Sequence, residues 1–120
     1  MSRPNPPTSA ARFIAGILAA LWGMLGLELA YSFGSLYGAR SAIVVAVAVN
    51  VALVTSAALA FVNAGRWRGI MIAAIVAVTA DRLFNMIFTG ATALGIAIDL
   101  LAALAIAAVA LFSPPTKPAA

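Results

Sequence analysis

Four long apolar runs, none of them interrupted by proline, constrain this chain more than any other feature of its sequence. They extend over residues 13–33, 41–62, 70–89 and 93–112. Each holds about 20 residues, the length of α-helix that crosses a hydrocarbon core about 30 Å thick. Backbone groups in lipid must satisfy their own hydrogen bonds, and the sequence has no alternating barrel pattern. We therefore predict an all-α polytopic membrane protein with four transmembrane helices in an antiparallel bundle.

Prolines and glycines predict where these helices end. All six prolines lie in two tails, so the predicted organisation is a Pro-rich tail over 1–12, one transmembrane domain over 13–112 and a second Pro-rich tail over 113–120. The segments between the runs, 34–40, 63–69 and 90–92, each contain glycine, which is typical of a helix stop. The first run is too long for the apolar region of a signal peptide, and Glu28 would interrupt it.

Composition excludes several classes of protein. Hydrophobic residues make up 65% of the chain and charged residues 8%, against about 45–50% and about 25% in soluble domains. The chain has no cysteine and no histidine, which removes disulfides, thiolate chemistry and the commonest general base and metal ligand. No lysine lies within the apolar runs. We therefore expect neither an enzyme with familiar machinery nor a cofactor.

The basic residues predict the orientation of the chain in the membrane. One side would carry Arg3, Arg12, Arg66, Arg68 and Lys117, and the other side only Arg40. Lysine and arginine in short loops favour the cytoplasmic side, so both termini are predicted to be cytoplasmic. Trp67, between Arg66 and Arg68, is typical of an interfacial anchor at that side, and Tyr37 of one at the far side. A nucleic-acid partner would need a basic face with stacking aromatics, which the sequence lacks.

Polar residues inside the apolar runs are the candidate functional residues. Two charges in the third run would cost about 5–7 kcal/mol on the insertion scale, so that helix depends on its neighbours. At about 1.5 Å per residue, three of these charges lie about 8–10 Å from the outer ends of their helices. The sequence therefore predicts one charged layer in the outer half of the bilayer. The candidates for binding a ligand, ion or proton are Glu28, Asn50, Asp81, Arg82, Asn85 and Asp99.

Two interpretations of this polar set stay open. In the first, Arg82 pairs with Asp99, the preferred partner, or with Glu28, and the pair locks the helices together. In the second, the excess of three acids over one intramembrane arginine leaves carboxylates that take up a proton, a cation or a polar ligand. Glu28 is the preferred titratable residue because no base is adjacent to it in sequence.

Small residues recur at helical spacing in three of the runs, which favours close helix packing in lipid. Generic membrane packing in an alanine-rich chain explains the same pattern. The ridges are Ala15, Ala19 and Gly23, then Ala42, Ala46 and Asn50, and finally Ala103, Ala107 and Ala110.

Two family resemblances accompany these patterns. A chain of this size with Glu28 in its first helix superficially resembles the small multidrug resistance transporters, although the aromatic-glycine signature of that family is absent. Arg82-Leu83, then Gly90, then Asp99-Leu100 is similar to a pattern in uncharacterised four-helix bacterial membrane proteins, a family of unknown function. That second resemblance covers only the last two helices. It implies a four-helix fold in the bacterial cytoplasmic membrane and no particular activity.

Three functions are compatible with the sequence. The first is an accessory or scaffold subunit of a membrane complex or homo-oligomer, held together by the carboxylate–arginine cluster. The second is a small proton- or cation-coupled transporter, which at this length would need several copies. The third is binding of a lipid or other amphiphile in an outer-half polar pocket. The expected partners are the lipid bilayer and either a second copy or a larger membrane complex.

Overall fold

The chain folds into four long helices. The computed structural model describes residues 7–90 and 92–112, with side chains from residue 10 onward. The helices are α1 (Pro7–Phe33), α2 (Arg40–Phe61), α3 (Trp67–Thr89) and α4 (Ala93–Phe112), with a short 3₁₀ turn over Gly34–Leu36. All four are long and apolar enough to cross a membrane. The predicted all-α class is therefore confirmed for the described residues, while Arg3, Lys117 and the tail 113–120 lie outside them.

The first and third helices begin earlier than their apolar runs. Helix α1 starts at Pro7 rather than at residue 13, so half of the predicted N-terminal tail is helical. Proline is favoured at the first helical position, where its missing N–H has no intrahelical partner to lose. Helix α3 starts at Trp67 rather than at residue 70. Hydropathy marks the segment that suits lipid, and a helix can extend past that segment.

Different residues end the helices. Gly90 follows α3 in the left-handed conformation, with φ of 74°, and its N–H donates to the Met86 carbonyl at 3.1 Å. In the connection after α2, Asn63 takes the positive φ of 55°, since asparagine tolerates this conformation better than most residues. Gly34 lies in the 3₁₀ turn instead. The prediction of a glycine stop is confirmed for Gly90 and wrong for the connection after α2.

Small residues allow α1 and α2 to pack closely. A Cβ atom on Gly23 would lie 2.8 Å from Val54 Cγ2 and 3.1 Å from the Asn50 carbonyl oxygen. Ala15 and Ala19 are completely buried, and Ala46 nearly so. Close approach of helix backbones is the main way in which packing contacts form where lipid is as apolar as the side chains. Larger side chains fill the core around these residues, among them Trp22, Leu53, Trp67, Met71, Val78 and Ile106.

Two arginines bind the carbonyl ends of neighbouring helices. Arg12, near the start of α1, donates to the Ala60 and Phe61 carbonyls at the end of α2. Arg68, near the start of α3, donates to the Ala110 carbonyl near the end of α4 at 3.1 Å. The last carbonyls of a helix have no intrahelical donor and attract cations. These contacts place the start of one helix beside the end of the next in both pairs.

Candidate functional site

Arg82 connects three helices. Its Nη1 atom lies 2.8 Å from Asp99 Oδ1 on α4, and both side chains are buried. Its Nη2 atom donates to the Trp22 carbonyl on α1 at 2.7 Å. The guanidinium carbon lies 4.4 Å from the centroid of the Trp22 ring, a cation–π distance. The predicted pairing of Arg82 with Asp99 is confirmed, and it forms within one chain.

Asn85 and Asp81 form a second polar contact on α3. The Asn85 Nδ2 atom donates to Asp81 Oδ2 at 3.2 Å. An amide that donates from its nitrogen to a carboxylate must present its oxygen elsewhere, so Asp81 orients Asn85 Oδ1 away from itself. Asp81 is half-buried, and it is linked to the Arg82 site through Asn85 rather than by an ion pair.

A cavity of about 310 Å³ lies beside these residues. Arg82, Asn85 and Asp99 supply its polar wall, and each is at least nine-tenths buried. Each also has one buried polar atom without a hydrogen-bond partner in the structure: Arg82 Nε, Asn85 Oδ1 and Asp99 Oδ2. The rest of the wall is Leu29, Phe33, Leu36, Tyr37, Met86 and Thr89.

Tyr37, one of the residues that line this cavity, carries a neutral hydroxyl group. Burial raises the pKa of the Tyr37 phenol above its usual 10.0, and the Asp81 carboxylate acts in the same direction. The phenol therefore keeps its proton at neutral pH. Phe33 and Leu36, which also line the cavity, are exposed. The lining of the cavity thus combines buried polar residues with exposed apolar ones.

Glu28 does not join the Arg82 site. Its side chain is exposed on α1, on the same face as Leu21, Met24 and Tyr31. The partner that the structure gives it is Ser32, whose Oγ donates to Glu28 Oε1 at 2.5 Å. Glu28, the alternative predicted partner of Arg82, is therefore not paired with it. Trp22 and Ala30 lie on the buried side of α1, and a step of about 100° per residue carries Glu28 to the other side.

Asn50 is buried at a separate place, between α1 and α2. Its Nδ2 atom donates to the Ala46 carbonyl of its own helix at 2.7 Å. Its Oδ1 atom has no partner in the structure and faces Gly26 of α1. Asn50 therefore packs against the α1 backbone and takes no part in the Arg82 cavity.

The predicted interfacial anchors differ in their surroundings. Trp67 is only 1% exposed and belongs to the core, so it is not an anchor that reaches headgroups. Its ring belongs to the same core cluster as Ala60 and Ala110, two completely buried small residues. Arg66 is exposed, Arg68 is half-buried with its guanidinium 5.7 Å from the Trp67 ring, and Tyr37 is half-buried.

Sequence reasoning missed Trp22 and the apolar wall of the cavity. Trp22 lies within an unbroken apolar run, and its backbone carbonyl, which binds Arg82, has no sequence signal. Leu29 and Met86 likewise resemble every other apolar residue of their helices. Among the described residues, no group of three or more acidic, histidine or cysteine side chains is placed to hold a metal ion.

Comparisons with known proteins provide no relative. No protein-family model, curated protein or solved structure matches this chain.

Proposed function

We propose that this chain is a small integral membrane protein that serves as a scaffold subunit by binding a second copy of itself. It would cross the bacterial cytoplasmic membrane as an antiparallel four-helix bundle, with both termini in the cytoplasm. The resemblance of Arg82-Leu83, Gly90 and Asp99-Leu100 to uncharacterised four-helix membrane proteins supports the same fold. Inside each copy, the Arg82–Asp99 pair holds α1, α3 and α4 together.

The observation that carries this proposal is the position of Glu28. Ionisable side chains within membrane helices almost always face the interior of a bundle or a water-filled cavity. Glu28 instead lies on an exposed apolar face within a segment suited to cross the membrane. A single copy in lipid would hold that carboxyl group against hydrocarbon. A second protein surface that covers this face of α1 would remove the free-energy cost of holding the carboxyl group in hydrocarbon.

A second copy would cover this face by packing its own α1 against it. Exposed residues recur along it at alternating spacings of three and four: Ile14, Ile17, Leu21, Met24, Glu28 and Tyr31. Such a seam suits helix pairs that cross at a small angle. A two-fold axis places each residue beside its own copy. The two Glu28 side chains would then lie side by side, within hydrogen-bonding reach of each other.

Replacing Glu28 with leucine is the test of this interface. Hydrogen bonds between membrane helices contribute about 0.6–2 kcal/mol, so we expect the dimer dissociation constant of Glu28→Leu to rise about 3- to 30-fold. Glu28→Gln keeps a hydrogen-bonding side chain and is expected to stay close to the wild type. The measurement is energy transfer between labelled chains in lipid vesicles. The chain lacks cysteine, and Gly65→Cys provides a label site with no neighbouring atoms within 4 Å of the new Cβ.

Val76→Leu, at an exposed position of α3, is the matched control and should leave the dissociation constant unchanged. A wild-type chain that stays monomeric at every protein-to-lipid ratio would contradict the proposal. So would a Glu28→Gln variant as defective as Glu28→Leu, because a hydrogen bond between the two side chains would survive the change from carboxyl to amide.

Proton- or cation-coupled transport by the same dimer is the second candidate. It rests on the absence of an ion pair for Glu28 among the described residues, which leaves its carboxyl group available for a proton or a cation. Reconstituted vesicles with an internal pH dye would show proton movement that Glu28→Gln abolishes while the dimer persists. Equal proton flux in wild type and Glu28→Gln would contradict this candidate and leave the scaffold proposal standing.

A further inference from the structure

Another cavity, of about 340 Å³, lies between the start of α2 and the second half of α3. Asp81, Phe84 and Phe88 line it from α3, and five residues between Gly38 and Val45 line it from the other side. None of these described lining residues belongs to α1. An inference drawn from this cavity is therefore independent of the dimer proposed above.

Asp81 carries the charge of this cavity. It is the one charged residue among the described residues that line the cavity, and it is half-buried. Its Oδ2 atom accepts a hydrogen bond from Asn85. Its Oδ1 atom has no hydrogen bond in the structure, and it is not among the buried atoms that lack a partner. Oδ1 is therefore accessible to an occupant of the cavity.

Neither of the arginines near this cavity pairs with Asp81. Arg82, the next residue in sequence, forms its ion pair with Asp99, so those two charges cancel. Arg40, at the start of α2, is exposed and is not part of the cavity wall. A carboxylate without a partner in a membrane helix takes up a proton or attracts a cation.

Two aromatic rings favour a larger cation over a proton. The rings of Phe84 and Phe88 both line the cavity, with centroids 5.4 Å apart and planes tilted by 59°. Phe88 packs against the connection before α2, where a Cβ atom on Gly38 would lie 2.7 Å from its ring. Aromatic rings attract cations electrostatically. A proton held on Asp81 would gain nothing from these rings.

The small number of oxygen atoms in the wall specifies the kind of cation. The described side chains supply the two Asp81 oxygens and the Ser41 hydroxyl, whereas Ca²⁺ takes about six to eight oxygen ligands and Mg²⁺ about six. A primary ammonium group has three N–H donors that each need an acceptor. A methylated ammonium group has no such donors, and aromatic rings are well suited to bind it.

We propose that this cavity binds a methylated ammonium group of the choline type. The cation lies beside Asp81 Oδ1 and against the rings of Phe84 and Phe88. The volume of about 340 Å³ is at the small end of ligand pockets, which span about 300–1,000 Å³, and therefore suits a small head group. The same group occurs as free choline in water and as the head group of phosphatidylcholine.

Binding of radiolabelled choline to the full-length protein in nanodiscs of a neutral galactolipid tests the proposal, because that lipid has no ammonium group. The matched neutral probe is dimethylbutanol, in which a carbon atom replaces the nitrogen of choline. Choline should bind saturably, and dimethylbutanol should compete at least about tenfold more weakly than unlabelled choline, because it lacks the attraction to Asp81. Equal competition by the two compounds, or no saturable binding of choline, would overturn the proposal.

Nanodiscs of phosphatidylcholine separate the two sources of the group. Both lipids are uncharged overall, so neither surface concentrates choline by electrostatic attraction. Half-saturation at a higher choline concentration in phosphatidylcholine than in galactolipid would show that lipid head groups occupy the cavity. Half-saturation at the same concentration in both lipids would assign the cavity to the free cation.

Two pairs of variants locate the bound cation. Asp81→Asn removes the charge and keeps an oxygen for Asn85, and it should raise the dissociation constant of choline at least about tenfold. Its matched control is Glu28→Gln, which removes a carboxylate outside the cavity and should leave the dissociation constant unchanged. Phe84→Leu should raise it about 2- to 30-fold. The matched control for that change is Phe33→Leu, at an exposed ring that lines the cavity beside Arg82 instead.

Choline binding that is unchanged in both Asp81→Asn and Phe84→Leu would place the cation elsewhere and contradict the proposal. Circular dichroism shows whether each variant folds. If Asp81→Asn does not fold, the comparison of Phe84→Leu with Phe33→Leu and the competition by dimethylbutanol in the wild type still decide the result.

Discussion

Replacing Arg82 with methionine lowers the free energy of unfolding by about 3–5 kcal/mol, the usual cost of removing one partner from a buried ion pair. The variant leaves Asp99 buried on α4 without its cation, and the Trp22 carbonyl on α1 without its donor. Methionine keeps most of the side-chain volume, so the loss reports charge and hydrogen bonding rather than a cavity. Reversible unfolding in mixed detergent micelles, followed by circular dichroism, measures the effect.

The double variant Arg82→Met with Asp99→Leu separates the cost of leaving Asp99 unpaired from the stability that the ion pair itself contributes. With both charges gone, no buried ion is left unpaired, and most of the lost stability should return, since apolar replacement of a buried pair is often neutral. The double-mutant cycle then yields the coupling energy between the two side chains. A single variant within 1 kcal/mol of the wild type would show that water or lipid headgroups reach Asp99 and that the pair does not hold the helices.

Replacing Gly26 with alanine is expected to lower the free energy of unfolding by about 1–3 kcal/mol, the range for overpacking a tightly packed site. A Cβ atom there would collide with the Asn50 side chain, whose Nδ2 atom is bound to the Ala46 carbonyl. Helix α2 must then move away from α1, or Asn50 must give up that bond. The same micelle unfolding experiment measures the change.

Gly69 provides the matched control for this substitution. It also lies in a helix, and a Cβ atom there would meet nothing within 4 Å. Gly69→Ala should be neutral or stabilising by up to about 1 kcal/mol, because alanine has the higher helix propensity. Adding Asn50→Ala to Gly26→Ala removes the colliding group and should recover part of the loss. No difference between Gly26→Ala and Gly69→Ala would contradict close packing at Gly26.

The Arg82–Asp99 pair was predictable because the choices were few. A single arginine lies well inside the apolar runs, and buried charges need partners. Asp99 is at a matching distance along the adjacent helix and was therefore the preferred partner, but Glu28 lies at a similar distance along α1, and only the structure selects Asp99. Asp81 is next to Arg82 in sequence, which turns its side chain by about 100° and directs it elsewhere.

Glu28 and Trp67 were misplaced for a common reason. In a soluble helix, polar residues mark the outward face, and their periodicity shows how the helix is rotated. In these helices almost every residue is apolar, so the pattern distinguishes the two faces poorly. Glu28 is exposed and Trp67 is buried, the reverse of what their chemistry suggested.

The sequence by itself determined the number of helices, their approximate lengths and the need of Arg82 for a carboxylate partner at a matching distance along another helix. These follow from local quantities: hydropathy summed along a segment, proline and glycine positions, and the cost of an unpaired charge. Only the tertiary structure decided how each helix is rotated about its axis. That rotation places the Trp22 carbonyl beside Arg82, leaves a cavity beside Asn85 and exposes Glu28. Rotation depends on how small and large side chains of neighbouring helices fit together, and that fit exists only once the helices pack.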